Sequence, residues 1–120
     1  MKDLIQKLVE SIGPSGYETA VRNLVRAEVE KLADSVQVDA LGNLLARKGQ
    51  KGPGGLRIML AAHMDEIGLI ATHVDENGFV RFTTIGGVAP HTCLGGRVRF
   101  VSGVPGVIGG DVIGRYQQRN

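Results

Sequence analysis

The feature that most constrains the fold is a short apolar run, "RIMLAAH", at residues 57–63. It shows almost no polar alternation, which is typical of a strand buried on both faces. Such a strand needs neighbouring strands and covering helices, which is the arrangement of an α/β fold. We therefore predict an α/β fold in which the motif that follows the run lies at the carboxyl end of a core strand.

The first third of the chain has the periodicity of two amphipathic helices. The first helix is expected to stop at "GPSG", residues 13–16, which is made of turn residues. "SGYE" then predicts a capping box for the second helix, with Ser15 at the N-cap and Glu18 three residues later. The two apolar faces comprise Leu4, Ile5, Leu8, Val9 and Ile12, followed by Val21, Leu24, Val25, Val29 and Leu32.

The rest of the chain is expected to form short strands. "SVQV" alternates with a period of two, "ALGN" predicts a turn into "LLARKG", and residues 49–55 predict a Gly- and Pro-rich loop. Further on, Asn77-Gly78 predicts a hairpin between "IGLIATHV" and "FVRFTTI". "RVRFV" and "GVPGVIGG" predict two more strands. The change of character near residue 68 indicates two structural units.

Composition narrows the functional classes. The 120 residues carry a net charge of +2 in scattered basic residues, and only 4% are aromatic, so we expect no nucleic-acid interface. Cys93 is the single cysteine, which excludes an intrachain disulfide and suits a reducing compartment. The N-terminus lacks a signal peptide's apolar stretch, and no apolar run approaches the roughly 20 residues that span a bilayer. We expect a cytoplasmic protein that does not bind membranes.

His63 and Asp65 are the residues most able to carry chemistry. On a strand, residues i and i+2 project from the same face, so the imidazole and the carboxylate would be neighbours at the strand's end. Ligands usually bind at that end of an α/β sheet. Asp65 could ligate a metal ion itself, or fix the tautomer of a metal-bound His63. The alternative is a structural histidine whose hydrogen bonds are satisfied at a strand end.

The other candidate ligands do not complete a site with this pair. Glu66 is expected on the opposite strand face from Asp65, and His73 on a separate strand. Asp75 and Glu76 fall in the predicted hairpin turn, and we interpret "HTC" at residues 91–93 as loop. Adjacent carboxylates also cannot flank one glycosidic bond from opposite sides, which argues against a glycosidase.

Several separate motifs, taken together, resemble one known family. These are "GPSGYE", "AAHMDEIGLI", "DENGFVRFTTIGG" and "GRVRF" followed by "GVPGVIG", which span roughly residues 3–109 in order. They are similar to the tetrahedral, or glutamyl, aminopeptidases, two-metal peptidases of which some members are labelled endoglucanases. The resemblance implies that residues 1–68 are the first segment of a catalytic α/β domain. Residues 69–110 would then be part of a PDZ-like β module used in subunit contacts, and residues 111–120 a tail of unclear role.

The resemblance also implies the roles of two residues. His63 would ligate one of two divalent metal ions, zinc or cobalt, and Asp65 would orient that histidine and support catalysis. In the family the remaining ligands and the general-base glutamate follow the β module. We therefore expect this chain to be an incomplete, truncated and by itself inactive part of a metal-dependent aminopeptidase that acts on peptides and forms a homo-oligomer.

Two alternatives remain open at this stage. The chain could be a non-catalytic assembly module that associates through exposed strands. It could instead belong to the related metallo-carboxypeptidases and deacylases, which also carry an H-x-D motif, although there a short aliphatic-proline pattern typically follows the aspartate, unlike the "EIG" of this chain.

Overall fold

The computed structural model describes residues 1–49 and 52–110. Residues 50 and 51 of the predicted loop and the tail at residues 111–120 lie outside the described residues. The chain divides into two compact units, of which one is Met1–Glu66 and the other begins at Ile67. In both units the helices and strands are short, and much of the described chain lies in the connections between them.

The first unit contains two helices and one hairpin. Helix α1 is Lys2–Glu10 and helix α2 is Thr19–Val29. Strands β1 (Ser35–Val38) and β2 (Leu44–Arg47) pair antiparallel, with Val36 opposite Ala46. These elements confirm the two predicted helices and the turn between "SVQV" and "LLAR".

The first unit packs around α2, whereas α1 has no buried residue. Val21, on α2, is 5% exposed and is the one buried hydrophobic side chain among the described residues. Gly13, in the connection between the helices, packs so closely on it that a Cβ at this position would lie 2.6 Å from Val21 Cγ1. The core of this unit is therefore the junction of α2 with the loop at residues 13–16.

The predicted capping box is wrong. Helix α2 begins at Thr19 with Glu18 at the N-cap, and no side chain caps it. The Glu18 carboxylate instead accepts a hydrogen bond from Gly16 N at 2.7 Å, two residues back. Ser15 does not cap the helix because its hydroxyl has a carboxylate partner 50 residues away in the sequence.

The prediction of a buried strand over residues 57–63 is also wrong for this chain. No strand is assigned there, and residues 56–62, here called the apolar segment, are all exposed. Leu60, for example, is 93% exposed. A strand buried on both faces needs neighbouring strands and covering helices, and the described residues bring none against this segment.

The described part of the second unit contains two antiparallel hairpins. Strands β3 (Gly68–Val74) and β4 (Val80–Ile85) pair around the predicted Asn77-Gly78 turn, where Gly78 has φ +82°. The register shifts between Ala71 and His73, which marks a bulge. A 3₁₀ helix (Pro90–Thr92) leads to the second hairpin, made of β5 (Arg97–Arg99) and β6 (Pro105–Val107).

The observed architecture is thus a small mixed arrangement of helices and two-stranded sheets. The predicted Asn77-Gly78 hairpin is confirmed, and the two further predicted strands are present and pair with each other. Within the described ranges, no helix is long and apolar enough to cross a membrane.

Candidate functional site

The structure brings His63 and Asp65 together although they are not on a strand. His63 Nδ1 lies 2.9 Å from Asp65 Oδ1 and 3.1 Å from the Asp65 backbone oxygen. A carboxylate and a carbonyl only accept hydrogen bonds, so a neutral imidazole in this position carries its proton on Nδ1 and donates it. The Nε2 lone pair is then free, and the His63 side chain is 85% exposed.

The second oxygen of Asp65 is held by Ser15. The Ser15 hydroxyl donates to Asp65 Oδ2 at 2.5 Å. This hydrogen bond is the largest cause that lowers the pKa of the Asp65 carboxyl below its ordinary value, and the hydrogen bond from His63 is the second. Both stabilise the ionised carboxylate, because each places a donor against it. Asp65 is therefore an anion whose two oxygens face two different donors.

Glu66 has a different hydrogen-bond partner from Asp65, but the two predicted strand faces are not present, because neither residue lies on a named strand. Its Oε1 accepts a hydrogen bond from Gly13 N at 3.0 Å, and its own backbone N donates to Gly13 O at 2.9 Å. Pro14 and Glu66 also form an isolated parallel bridge. The loop at residues 13–16 is thus attached to the chain immediately after Asp65.

A pocket of about 150 Å³ adjoins the pair. It is lined by Glu18, Leu41, Gly42, Asn43 and residues 62–65. The turn that supplies its far wall is well fixed, because Asp39 Oδ1 accepts from the backbone nitrogens of Leu41 and Asn43, both at 2.9 Å. The side-chain hydrogen bond from Asn43, at 2.8 Å, is the main cause that lowers the pKa of Asp39.

The remaining predicted candidates belong to the second unit. His73 lies on β3, and Asp75 is in the β3–β4 turn, where its Oδ1 accepts from Asn77 N and Phe79 N at 2.9 Å. His91 lies in the 3₁₀ helix. Across residues 1–49 and 52–110 no group of three or more His, Cys, Asp or Glu side chains could hold a metal ion. A catalytic zinc needs about three protein ligands, so these residues fit one ligand position and not a complete site.

The comparisons with known proteins agree with the motifs. Residues 42–119 match the M42 glutamyl aminopeptidase family. The chain is 44% identical over 108 residues to a putative aminopeptidase of Acetivibrio thermocellus, covering 90% of this chain and 32% of the relative.

Two solved structures are also similar to this chain. A TET aminopeptidase from a marine sediment Thaumarchaeota archaeon has a TM-score of 0.79 at 38% identity, covering 90% of this chain and 30% of the other. A Thermotoga maritima protein titled endoglucanase has a TM-score of 0.79 at 35% identity, covering 88% and 33%. The chain therefore spans about a third of the length of these proteins. It belongs to the M42 glutamyl aminopeptidase family.

Proposed function

We propose that the whole protein is a metal-dependent aminopeptidase, that His63 Nε2 is one of its metal ligands, and that Asp65 orients the imidazole. One observation carries the proposal. His63 Nδ1 is held against two acceptor oxygens of Asp65, which leaves Nε2 as the exposed lone pair. A carboxylate that holds the other nitrogen of a metal-bound histidine is the usual arrangement, since it fixes the tautomer and raises the basicity of the ligand.

The proposed cofactor is a pair of divalent ions, zinc or cobalt. The chemistry such a pair supplies is a water molecule activated for attack on a peptide carbonyl, together with an anchor for the free amino terminus of the substrate. This chain contributes His63 and Asp65, and the other ligands are proposed to come from residues that these 120 do not include, since the chain covers 32% of its relative from Acetivibrio thermocellus. Without them we expect the 120-residue chain to be inactive.

A proposed division of the chain follows from this role. Residues 1–68 would be the first segment of the catalytic α/β domain, and residues 69–110 part of a PDZ-like module that makes subunit contacts in a homo-oligomer. The described part of the second unit, residues 67–110, contains four strands and one 3₁₀ helix, which supports this division. The lone Cys93 supports a cytoplasmic location.

The test uses the three histidines of the chain as internal probes, since each gives its own imidazole ¹⁵N signals. Zinc is titrated into the purified chain, and the His63, His73 and His91 side chains are followed by NMR. We expect the His63 Nε2 signal to respond at the lowest zinc concentration, and His63→Ala to weaken binding more than the matched control His73→Ala. A response at His73 or His91 while His63 stays unchanged would refute the ligand assignment.

Activity is measured separately with aminoacyl-nitroanilides. We expect no hydrolysis by the 120-residue chain, with or without zinc or cobalt, because one imidazole does not assemble a hydrolytic metal site. Hydrolysis that disappears in His63→Ala would mean that this chain alone, or as an oligomer, completes the site.

A second function is favoured by the apolar segment. Residues 56–62 expose Leu56, Ile58, Met59 and Leu60, which are 82% to 93% accessible, and unpaired apolar segments of this kind pair with other chains. The chain would then act as an assembly module. Light scattering that reports a monomer at every concentration would contradict this second function.

A further inference from the structure

The loop at residues 13–16 has more contacts than a helix stop requires. It joins α1 to α2, yet both backbone groups of Gly13 pair with Glu66, and the Ser15 hydroxyl pairs with Asp65. Gly13 is also held from the other side, because it packs directly on the buried Val21 of α2. The loop is thus fixed between the helix and residues 65 and 66.

The Asp65 carboxylate is constrained at both oxygens. Oδ1 faces His63 Nδ1 at 2.9 Å, and Oδ2 accepts from Ser15 Oγ at 2.5 Å. A carboxylate held at one oxygen still rotates about its terminal torsion, which has a broad energy well. With Ser15 on the second oxygen, the plane of the group is set and Oδ1 stays directed at the imidazole.

We infer that Ser15 is a positioning residue for His63, acting through Asp65, with the two Gly13–Glu66 hydrogen bonds holding the loop that carries it. This inference rests on the proposed function of His63 for its catalytic meaning, but its geometry is independent of any metal. Through Asp65, Ser15 determines which nitrogen of the His63 imidazole carries the proton. With Ser15 present the proton is on Nδ1, and Nε2 remains available as a ligand.

The ratio of the two His63 tautomers should therefore depend on the Ser15 hydroxyl. When the Ser15 hydroxyl is removed, the Asp65 carboxylate is free to turn, and the Nδ1–H form of His63 keeps only the Asp65 backbone oxygen, at 3.1 Å, as a fixed acceptor. We expect the ratio of Nδ1–H to Nε2–H tautomer to fall by a factor of about five to ten, which is less than complete loss of a hydrogen bond to a charged group would give, because the Asp65 backbone oxygen still accepts from Nδ1. The Nε2–H form places a proton on the nitrogen proposed to bind metal.

The experiment is a long-range ¹H–¹⁵N NMR spectrum of the metal-free 120-residue chain at about pH 8, above the ordinary pKa of a free imidazole. Ser15→Ala is compared with Ser15→Thr, which retains the hydroxyl, and with Ser11→Ala, the same change at the end of α1. We expect the tautomer ratio to shift only in Ser15→Ala and to be restored in Ser15→Thr. The tautomer ratios of His73 and His91 show whether a substitution changes the other histidines as well as His63.

Each outcome decides the inference. A ratio that is the same in Ser15→Ala and the native chain overturns it. If Ser15→Ala fails to fold, the native chain and Ser15→Thr still test it, because a native His63 that carries its proton on Nε2 overturns it as well. Zinc titration of the same samples tests the proposed function separately. A tautomer that depends on Ser15 in a chain whose His63 does not respond to zinc supports the positioning role and refutes the ligand role.

Discussion

Replacing Gly13 with alanine tests the packing that supports the site. A Cβ at this position would lie 2.6 Å from Val21 Cγ1 and 3.2 Å from Val21 Cβ, closer than such atoms normally approach. Gly13 is not among the glycines with positive φ, so backbone strain does not add to the effect. Val21 is a β-branched residue on a helix and strongly prefers one χ1 rotamer, so it has little freedom to move away.

Two opposing contributions determine how much Gly13→Ala changes the free energy of unfolding. Overpacking of a filled site costs about 1–3 kcal/mol. Reducing the conformational entropy of the unfolded chain by a Gly-to-Ala change returns about 0.4–1 kcal/mol. We therefore expect Gly13→Ala to lower the free energy of unfolding of the first unit by about 1–2 kcal/mol. This is a large share of the stability of a unit with so little buried side-chain surface.

The assay is urea denaturation followed by signals of the first unit, with two controls. Gly52→Ala, in the same unit, adds a Cβ that meets nothing within 4 Å and is expected to be neutral or slightly stabilising. In the double variant Gly13→Ala/Val21→Ala the 2.6 Å clash disappears and only the 3.2 Å contact remains, so the two changes should cost less together than their sum. A Gly13→Ala chain as stable as Gly52→Ala would refute the packing argument.

Three further predictions concern other parts of the molecule. Hydrogen bonding lowers the pKa of Asp39 on folding, so its stabilising effect is present above the unfolded value, near 3.8, and is lost as the pH falls through the folded value. Urea midpoints measured between neutral and acid pH should therefore fall less steeply in Asp39→Asn. Gly78→Ala, at φ +82°, should destabilise the β3–β4 hairpin by about 1–2 kcal/mol in thermal unfolding, whereas Gly87→Ala, in open space, should not. Leu60→Glu, at a side chain 93% exposed, should reduce self-association in sedimentation velocity without lowering stability, and unchanged association would exclude the apolar segment as its cause.

The secondary-structure elements that the sequence predicted correctly are those determined by residues close together in the chain. Helices α1 and α2 follow from a 3.6-residue apolar period, and the β3–β4 hairpin follows from Asn77-Gly78, since glycine adopts the positive φ that the turn needs. The contact between His63 and Asp65 was also predictable. In a β-like backbone, side chains two positions apart project from the same side, and the structure keeps the pair without a strand.

The features that the sequence did not predict depend on distant residues. "SGYE" has the pattern of a capping box, but Ser15 has Asp65 as its partner, and nothing in the local sequence identifies an acceptor 50 residues away. The apolar segment has the composition of a core strand, yet burial requires neighbours that composition cannot supply. From the sequence, Gly13 could be identified only as a turn residue. Its packing against Val21 is a tertiary contact, which the local sequence does not reveal.

The wrong capping-box prediction and the wrong buried-strand prediction bear on the same histidine. His63 follows an apolar segment that no described strand covers, so the residues before it do little to fix its position. The residues after it are different, because Asp65 and Glu66 are both bonded to the loop at residues 13–16. The order of the imidazole in this chain therefore comes from its carboxyl-terminal side. Pairing of the apolar segment with further strands would fix the other side, so we expect the effect of Ser15→Ala on the His63 tautomer to be larger in this chain than in a full-length relative carrying the same substitution.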